Sequence, residues 1–90
     1  GRVNVREKIL LAAVALTETA PTITTPDLVM RAWSLYPEAF SLAGYAHPHS
    51  NAVIAKLSGA DGLVGLGWLE RTDESAYRVT RAGHAAARRL

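Results

Sequence analysis

The side chains in this sequence that could act on a ligand are few and scattered. His47 and His49 flank Pro48, which puts two imidazoles at i and i+2, and His84 stands far along the chain. A metal centre would need a further ligand and a shell of supporting hydrogen bonds. The chain has no cysteine, which excludes thiolate ligands and disulfides. No H-x-x-x-H pair or carboxylate cluster fills the gap, so the histidines read as surface groups on a helix-capping turn. Gly62-Leu63-Val64-Gly65-Leu66-Gly67 superficially resembles a phosphate-cradling loop. It lacks the lysine and the strand-to-helix context such a loop requires, and it leads into a strand, so its glycines read as tight turns or close packing. Serines, histidines and aspartates occur without a nucleophile motif. No catalytic residue, metal ligand or cofactor is assigned, and the chain is not read as an enzyme.

Charge adds little. Ten basic and eight acidic residues give a net charge of +2. Residues 1–60 and residues 61–90 each hold five basic and four acidic groups, so there is no basic arm or block. The balance permits nucleic-acid binding without arguing for it. Ninety residues, 49% of them hydrophobic, suffice for one domain with a thin margin of buried surface. No apolar run approaches the ~20 residues that span a bilayer. The stretch from Ile9 to Leu16 is short and lacks a signal-cleavage context. The expectation is a cytoplasmic domain without membrane attachment, covering residues 1–90. A start at Gly1 instead of Met suggests a domain excised from a longer protein.

The elements that would position these groups follow from caps and periodicity. Asn4 with Glu7 three residues on forms a capping box. Val5, Ile9, Ala12, Ala13 and Leu16 then make the apolar face of a first helix, which stops near Thr19, before Pro21. Thr22-Ile23-Thr24 is β-branched and suits a short strand. Thr25 caps a second helix, with Pro26 and Asp27 in its first turn. Leu28, Val29, Ala32, Trp33, Leu35 and Tyr36 fill that helix, and Pro37 ends it. From Pro37 to His49 runs an excursion holding Phe40, Leu42 and Tyr45, with a helical turn expected at Glu38 to Ser41. Pro48 or Ser50 opens a third helix. Val53, Ile54 and Leu57 face the core, while Asn51, Ala52, Ala55, Lys56 and Ser58 point outward. This helix is expected to end near Gly59, with another helical turn at Asp61 to Leu66; one glycine-interrupted helix to Leu66 is the alternative. Trp68-Leu69 starts a strand, Asp73-Glu74-Ser75 forms the hairpin tip, and Tyr77 and Val79 alternate on the return strand. Thr80 caps a last helix that ends at Arg88-Arg89-Leu90.

The fold class expected is mainly α with a small antiparallel β-hairpin. The span from Thr22 to Gly83 resembles the winged helix-turn-helix superfamily, in the style of MarR- and PadR-like bacterial regulators. Leu57, Gly62-Leu63-Val64, Gly67-Trp68-Leu69-Glu70 and Tyr77-Arg78-Val79-Thr80-Arg81-Ala82-Gly83 carry the resemblance. The long excursion from Pro37 to His49 departs from the compact turn of that pattern. The resemblance implies a module that binds double-stranded DNA in transcription regulation, with the third helix in the major groove and the wing on the backbone. Carried over by position, Ser50, Asn51 and Lys56 would meet the groove, with His49, Ala52 and Ser58 beside them. Asn51 has the chemistry for adenine and Lys56 for guanine or phosphate. Arg31, Arg71 and Arg78 would hold backbone phosphates, as would the N–H groups at the starts of the second and third helices.

Against this, the third helix has one lysine and no arginine, and the wing tip is acidic. Phosphate neutralisation supplies essentially all non-specific affinity, so a monomer would bind weakly, and a homodimer would double the contacts. The alternative is a winged helix that binds protein within a larger multidomain chain. Phe40 and Tyr45 are its candidate contacts, provided the rings are exposed. Trp33 and Trp68 read as core, and Arg88-Arg89 as a complement to the last helix's dipole.

Overall fold

A computed structural model describes residues 2–90. Among these, five helices and three strands occur in the order α1 (Val5–Leu16), β1 (Ile23–Thr24), α2 (Thr25–Leu35), α3 (Pro37–Phe40), α4 (Ser50–Ile54), β2 (Leu69–Asp73), β3 (Ala76–Val79) and α5 (Arg81–Arg88). The strands form one antiparallel sheet in the order β1-β3-β2. One contiguous core joins the elements, with Ile9, Leu10, Leu28, Phe40, Val53, Leu57, Leu63 and Leu69 fully buried.

The helix starts follow local chemistry. Asn4 Oδ1 accepts from the Glu7 N–H at 2.9 Å, and the Glu7 carboxylate accepts from the Asn4 N–H at 2.8 Å, so the capping box forms as expected. α1 buries Ile9, Leu10, Ala12 and Ala13. Leu10 is buried as well, while Val5, expected on the apolar face, stays exposed at the first turn. The cap of α2 is Thr24 and not Thr25: Thr24 Oγ1 accepts from the Asp27 N–H at 3.3 Å. The shift arises because Thr24 is still extended and pairs with Ala76, while Thr25 already begins the helix.

Pro37 ends α2 and at once begins α3. Proline lacks the N–H that would continue the ladder but suits a first helical turn. α3 turns Phe40 inward. Ser41 then ties the two helices, because its hydroxyl accepts from the Trp33 indole N–H at 2.8 Å and donates to the Pro37 carbonyl at 2.6 Å. The rest of the excursion folds back on itself. The Leu42 N–H donates to the His47 carbonyl at 2.9 Å, and the His49 N–H donates to the Phe40 carbonyl at 2.6 Å. Leu42 itself remains exposed.

α4 is shorter than its sequence suggests. It holds five residues and gives way to tight turns through Leu57. Val53 and Leu57 are buried as expected, but Ile54 faces outward and Ala52 packs inward. Gly59 has φ +88°, a left-handed backbone that breaks any continuous helix to Leu66. In 61–66 one helical turn closes through the Leu66 N–H on the Gly62 carbonyl at 2.9 Å.

β2 and β3 pair Leu69 with Val79, Glu70 with Arg78 and Arg71 with Tyr77. An irregularity between Arg71 and Asp73 leaves Asp73 opposite Ala76, so the connection is the pair Glu74-Ser75, with Asp73 in the strand. Thr80 Oγ1 accepts from the Gly83 N–H at 2.9 Å and caps α5.

Candidate functional site

Six residues were candidates for DNA contact, and they stand on α2, on α4 and the turn after it, and on the hairpin. Side chains alternate between the two faces of a strand pair. Arg71 stands opposite Tyr77, whose ring is buried, while Arg78 stands opposite Glu70. The two arginines therefore leave opposite faces of the hairpin. Each is also engaged. Arg78 Nη2 lies 2.5 Å from Glu70 Oε1, the one ion pair among the described residues. Arg71 donates to the Glu74 carbonyl at 2.9 Å and lies 5.8 Å from the centre of the Tyr77 ring. Lys56 is half-buried and sits beyond the end of α4, in the turn that follows. Arg31 is half-buried on α2.

The start of α2 does not offer the N–H groups expected there. The Thr25 N–H donates to the Ser75 carbonyl at 2.8 Å, Pro26 has none, and the Asp27 N–H goes to Thr24. The hairpin turn thus takes a donor that a phosphate would have used. Thr25 Oγ1 also donates to Ser75 O at 3.1 Å, which pins the turn to the helix. The glycine segment is likewise taken up by protein, chiefly the turn after α4. Its N–H groups at Leu63, Val64 and Gly67 donate to the carbonyls of Lys56, Leu57 and Val64.

Three concavities of similar volume form among the described residues; one lies beside Glu7, Trp68 and Arg89, one beside Lys8, Tyr36 and Glu38, and the most apolar lies between α2 and α4. A groove of about 240 Å³ is lined by Thr25, Pro26, Val29, Met30, Pro48, Ser50 and Ile54. Pro26 and Met30 are one helical turn apart on α2, as are Ser50 and Ile54 on α4, so each helix presents one stripe to the groove. Met30 is 51% exposed and Ile54 45% exposed. Of the expected contacts, only Ser50 lines this groove; Asn51 is exposed beside it. Sequence reading missed Met30 and Ile54. Ile54 sits at helical spacing with Val53 and Leu57 and reads as core, but it falls on the side of α4 that carries Ser50, one turn earlier.

The aromatic candidates also separate. Phe40 is 1% exposed and belongs to the core, which corrects its place as a contact residue. Tyr45 is 69% exposed on the excursion. Among the described residues no group of three His, Cys, Asp or Glu side chains lies close enough to share a metal ion, and no helix is long and apolar enough to cross a membrane. No family model matches the chain, and no curated protein or solved structure matches it.

Proposed function

We propose that this chain is a winged-helix domain that works as a protein-docking module, with the groove between α2 and α4 as its contact surface. The element order, with β1 beside the hairpin and α4 ahead of it, supports the winged-helix reading. The observation that carries the docking reading is the pair of exposed apolar side chains, Met30 and Ile54, over a groove on the face that α4 presents to solvent. Apolar side chains gathered on a concave surface bind by removing area from water. They contribute nothing to phosphate neutralisation.

A second reading, duplex DNA bound in transcription regulation by a bacterial cytoplasmic protein, keeps one observation in its favour. Ser50 and Asn51 are exposed at the start of α4, and Arg31 and Lys56 make no ion pair among the described residues. It remains the lesser reading because Arg78 is paired, Arg71 is turned away from it, and the start of α2 is capped by protein.

The test is selection of displayed random peptides on the wild-type domain, repeated with Ile54→Glu and with Met30→Ser. The docking reading expects enriched binders whose affinity falls at least ~10-fold on Ile54→Glu, as for a central contact residue. Binders indifferent to both substitutions would refute the groove as the contact surface.

A further inference from the structure

The N–H groups of a helix's first turn find no partner inside the helix. In α2 they are taken up from outside. The Thr25 N–H donates to the Ser75 carbonyl at 2.8 Å, Pro26 has none, and the Asp27 N–H donates to Thr24 Oγ1 at 3.3 Å. Thr25 Oγ1 adds a second bond to the same Ser75 carbonyl at 3.1 Å. One hairpin carbonyl therefore takes both donors of the residue that opens α2. Thr24, the residue before, pairs with Ala76, the residue after Ser75. Thr25 and Pro26 also line the groove, so the hairpin turn and the α2 wall of the groove meet at Thr25.

The turn is itself fixed from the strands. Arg71 donates to the Glu74 carbonyl at 2.9 Å, and Asp73 Oδ1 accepts from the Glu74 N–H at 2.8 Å. Arg71 does not line the groove. It reaches the groove only in steps, from its guanidinium to the Glu74 carbonyl, along the turn to the Ser75 carbonyl, and from there to Thr25. From this series of bonds we infer that the hairpin turn positions the α2 wall of the groove, with Thr25 and Arg71 as positioning residues. The inference rests on the docking reading for the use of the groove, and adds a point of control outside it. Leu28, Val29 and Ala32 are buried and hold the body of α2 against the core, so the effect is confined to the first turn. Met30 follows Pro26 by one helical turn, and side chains on a helix lean toward its N-terminus. The Met30 methyl therefore reports on the turn that Thr25 opens.

The experiment reads two signals that need no ligand: hydrogen exchange at the Thr25 amide and the Met30 methyl resonance. Met30 is the chain's one methionine, so a methyl label gives a single peak. Arg71→Leu keeps the aliphatic stem and loses the bond to the Glu74 carbonyl, without touching the groove. Thr25→Val loses the hydroxyl, and Thr25→Ser keeps it. Arg78→Leu, on the opposite face of the hairpin, removes the ion pair to Glu70 and leaves the bonds of the turn in place. Thermal unfolding checks that each variant is folded. Exchange at Thr25 should rise about 2–10-fold in Arg71→Leu and in Thr25→Val, the scale of one hydrogen bond, and the Met30 peak should move in both. Thr25→Ser and Arg78→Leu should leave both signals near wild type. Peptides selected on the wild-type domain should then bind Arg71→Leu more weakly than Arg78→Leu. Unchanged exchange and an unmoved Met30 peak in Arg71→Leu would overturn the inference. Equal changes in Arg71→Leu and Arg78→Leu would overturn it too, since they report lost stability alone. A selection that yields no peptide sensitive to Ile54→Glu would remove the docking reading, while the exchange and methyl signals still decide the positioning.

Discussion

Gly83 is the position where two physical effects predict opposite signs. It is the third residue of α5, and alanine in place of glycine inside a helix ordinarily stabilises by about 1 kcal/mol. At Gly83, however, a Cβ would overlap the Trp68 carbonyl oxygen, and would lie 3.0 Å from both the Trp68 carbonyl carbon and Val79 Cγ1. The oxygen is backbone at the entry to β2, and it already accepts from the Thr80 N–H at 3.0 Å and the Thr80 hydroxyl at 3.1 Å. Relief therefore requires the strand entry to separate from the start of α5. Overpacking of this kind costs about 1–3 kcal/mol, and loosening two hydrogen bonds adds about 0.5–1.5 kcal/mol each. Set against the helix gain, the net is a destabilisation of about 1–5 kcal/mol. For a domain of this size each kcal/mol lowers Tm by about 4–8 °C. Thermal and urea unfolding followed by circular dichroism should show Gly83→Ala at least several degrees below wild type. Ala82→Gly, on the exposed side of the same turn, should lower stability through helix propensity alone. A Gly83→Ala variant as stable as wild type, or more so, would refute the close packing of α5 on the strand entry.

Other substitutions test the assignments separately. Phe40→Ala should cost about 3–5 kcal/mol in urea unfolding because it empties a fully buried site, whereas Tyr45→Ala should change stability by no more than about 0.5 kcal/mol. Thr24→Ala should cost about 1 kcal/mol by loss of the α2 cap. A double-mutant cycle on Glu70 and Arg78 should return at most about 1 kcal/mol, since both side chains are exposed; a much larger coupling would show the hairpin to depend on that pair.

Much of the frame was legible because it is written in local signals. Asn4 with Glu7, Ile23 with its β-branched neighbours, Thr80 with Gly83 and the alternation of Tyr77 and Val79 each specify structure within a few residues, and each forms as read. The candidate site was less legible because it depends on contacts distant in sequence. Ile54 carries a core pattern, and only the packing of α4 on α2 shows that it shares the outward side of Ser50. Phe40 reads first as core and second as a contact, and the Ser41 link between Trp33 and Pro37 fixes α3 with the ring inward. The opposite facing of Arg71 and Arg78 follows from strand register, which the composition of the hairpin does not reveal. The capture of the Thr25 N–H by Ser75 joins residues fifty positions apart and leaves no trace in local sequence.

Fluorescence anisotropy with a labelled mixed-sequence duplex of about 30 base pairs, titrated at low and moderate salt, tests the central claim most directly. The docking account predicts no saturable binding below high-micromolar protein at moderate salt. Low- or sub-micromolar binding, with log K falling against log salt at a slope near about −3, would mean roughly three neutralised phosphates. If Lys56→Ala or Arg31→Ala also reduced it, the face between α2 and α4 would be a DNA-binding surface and the account would be wrong.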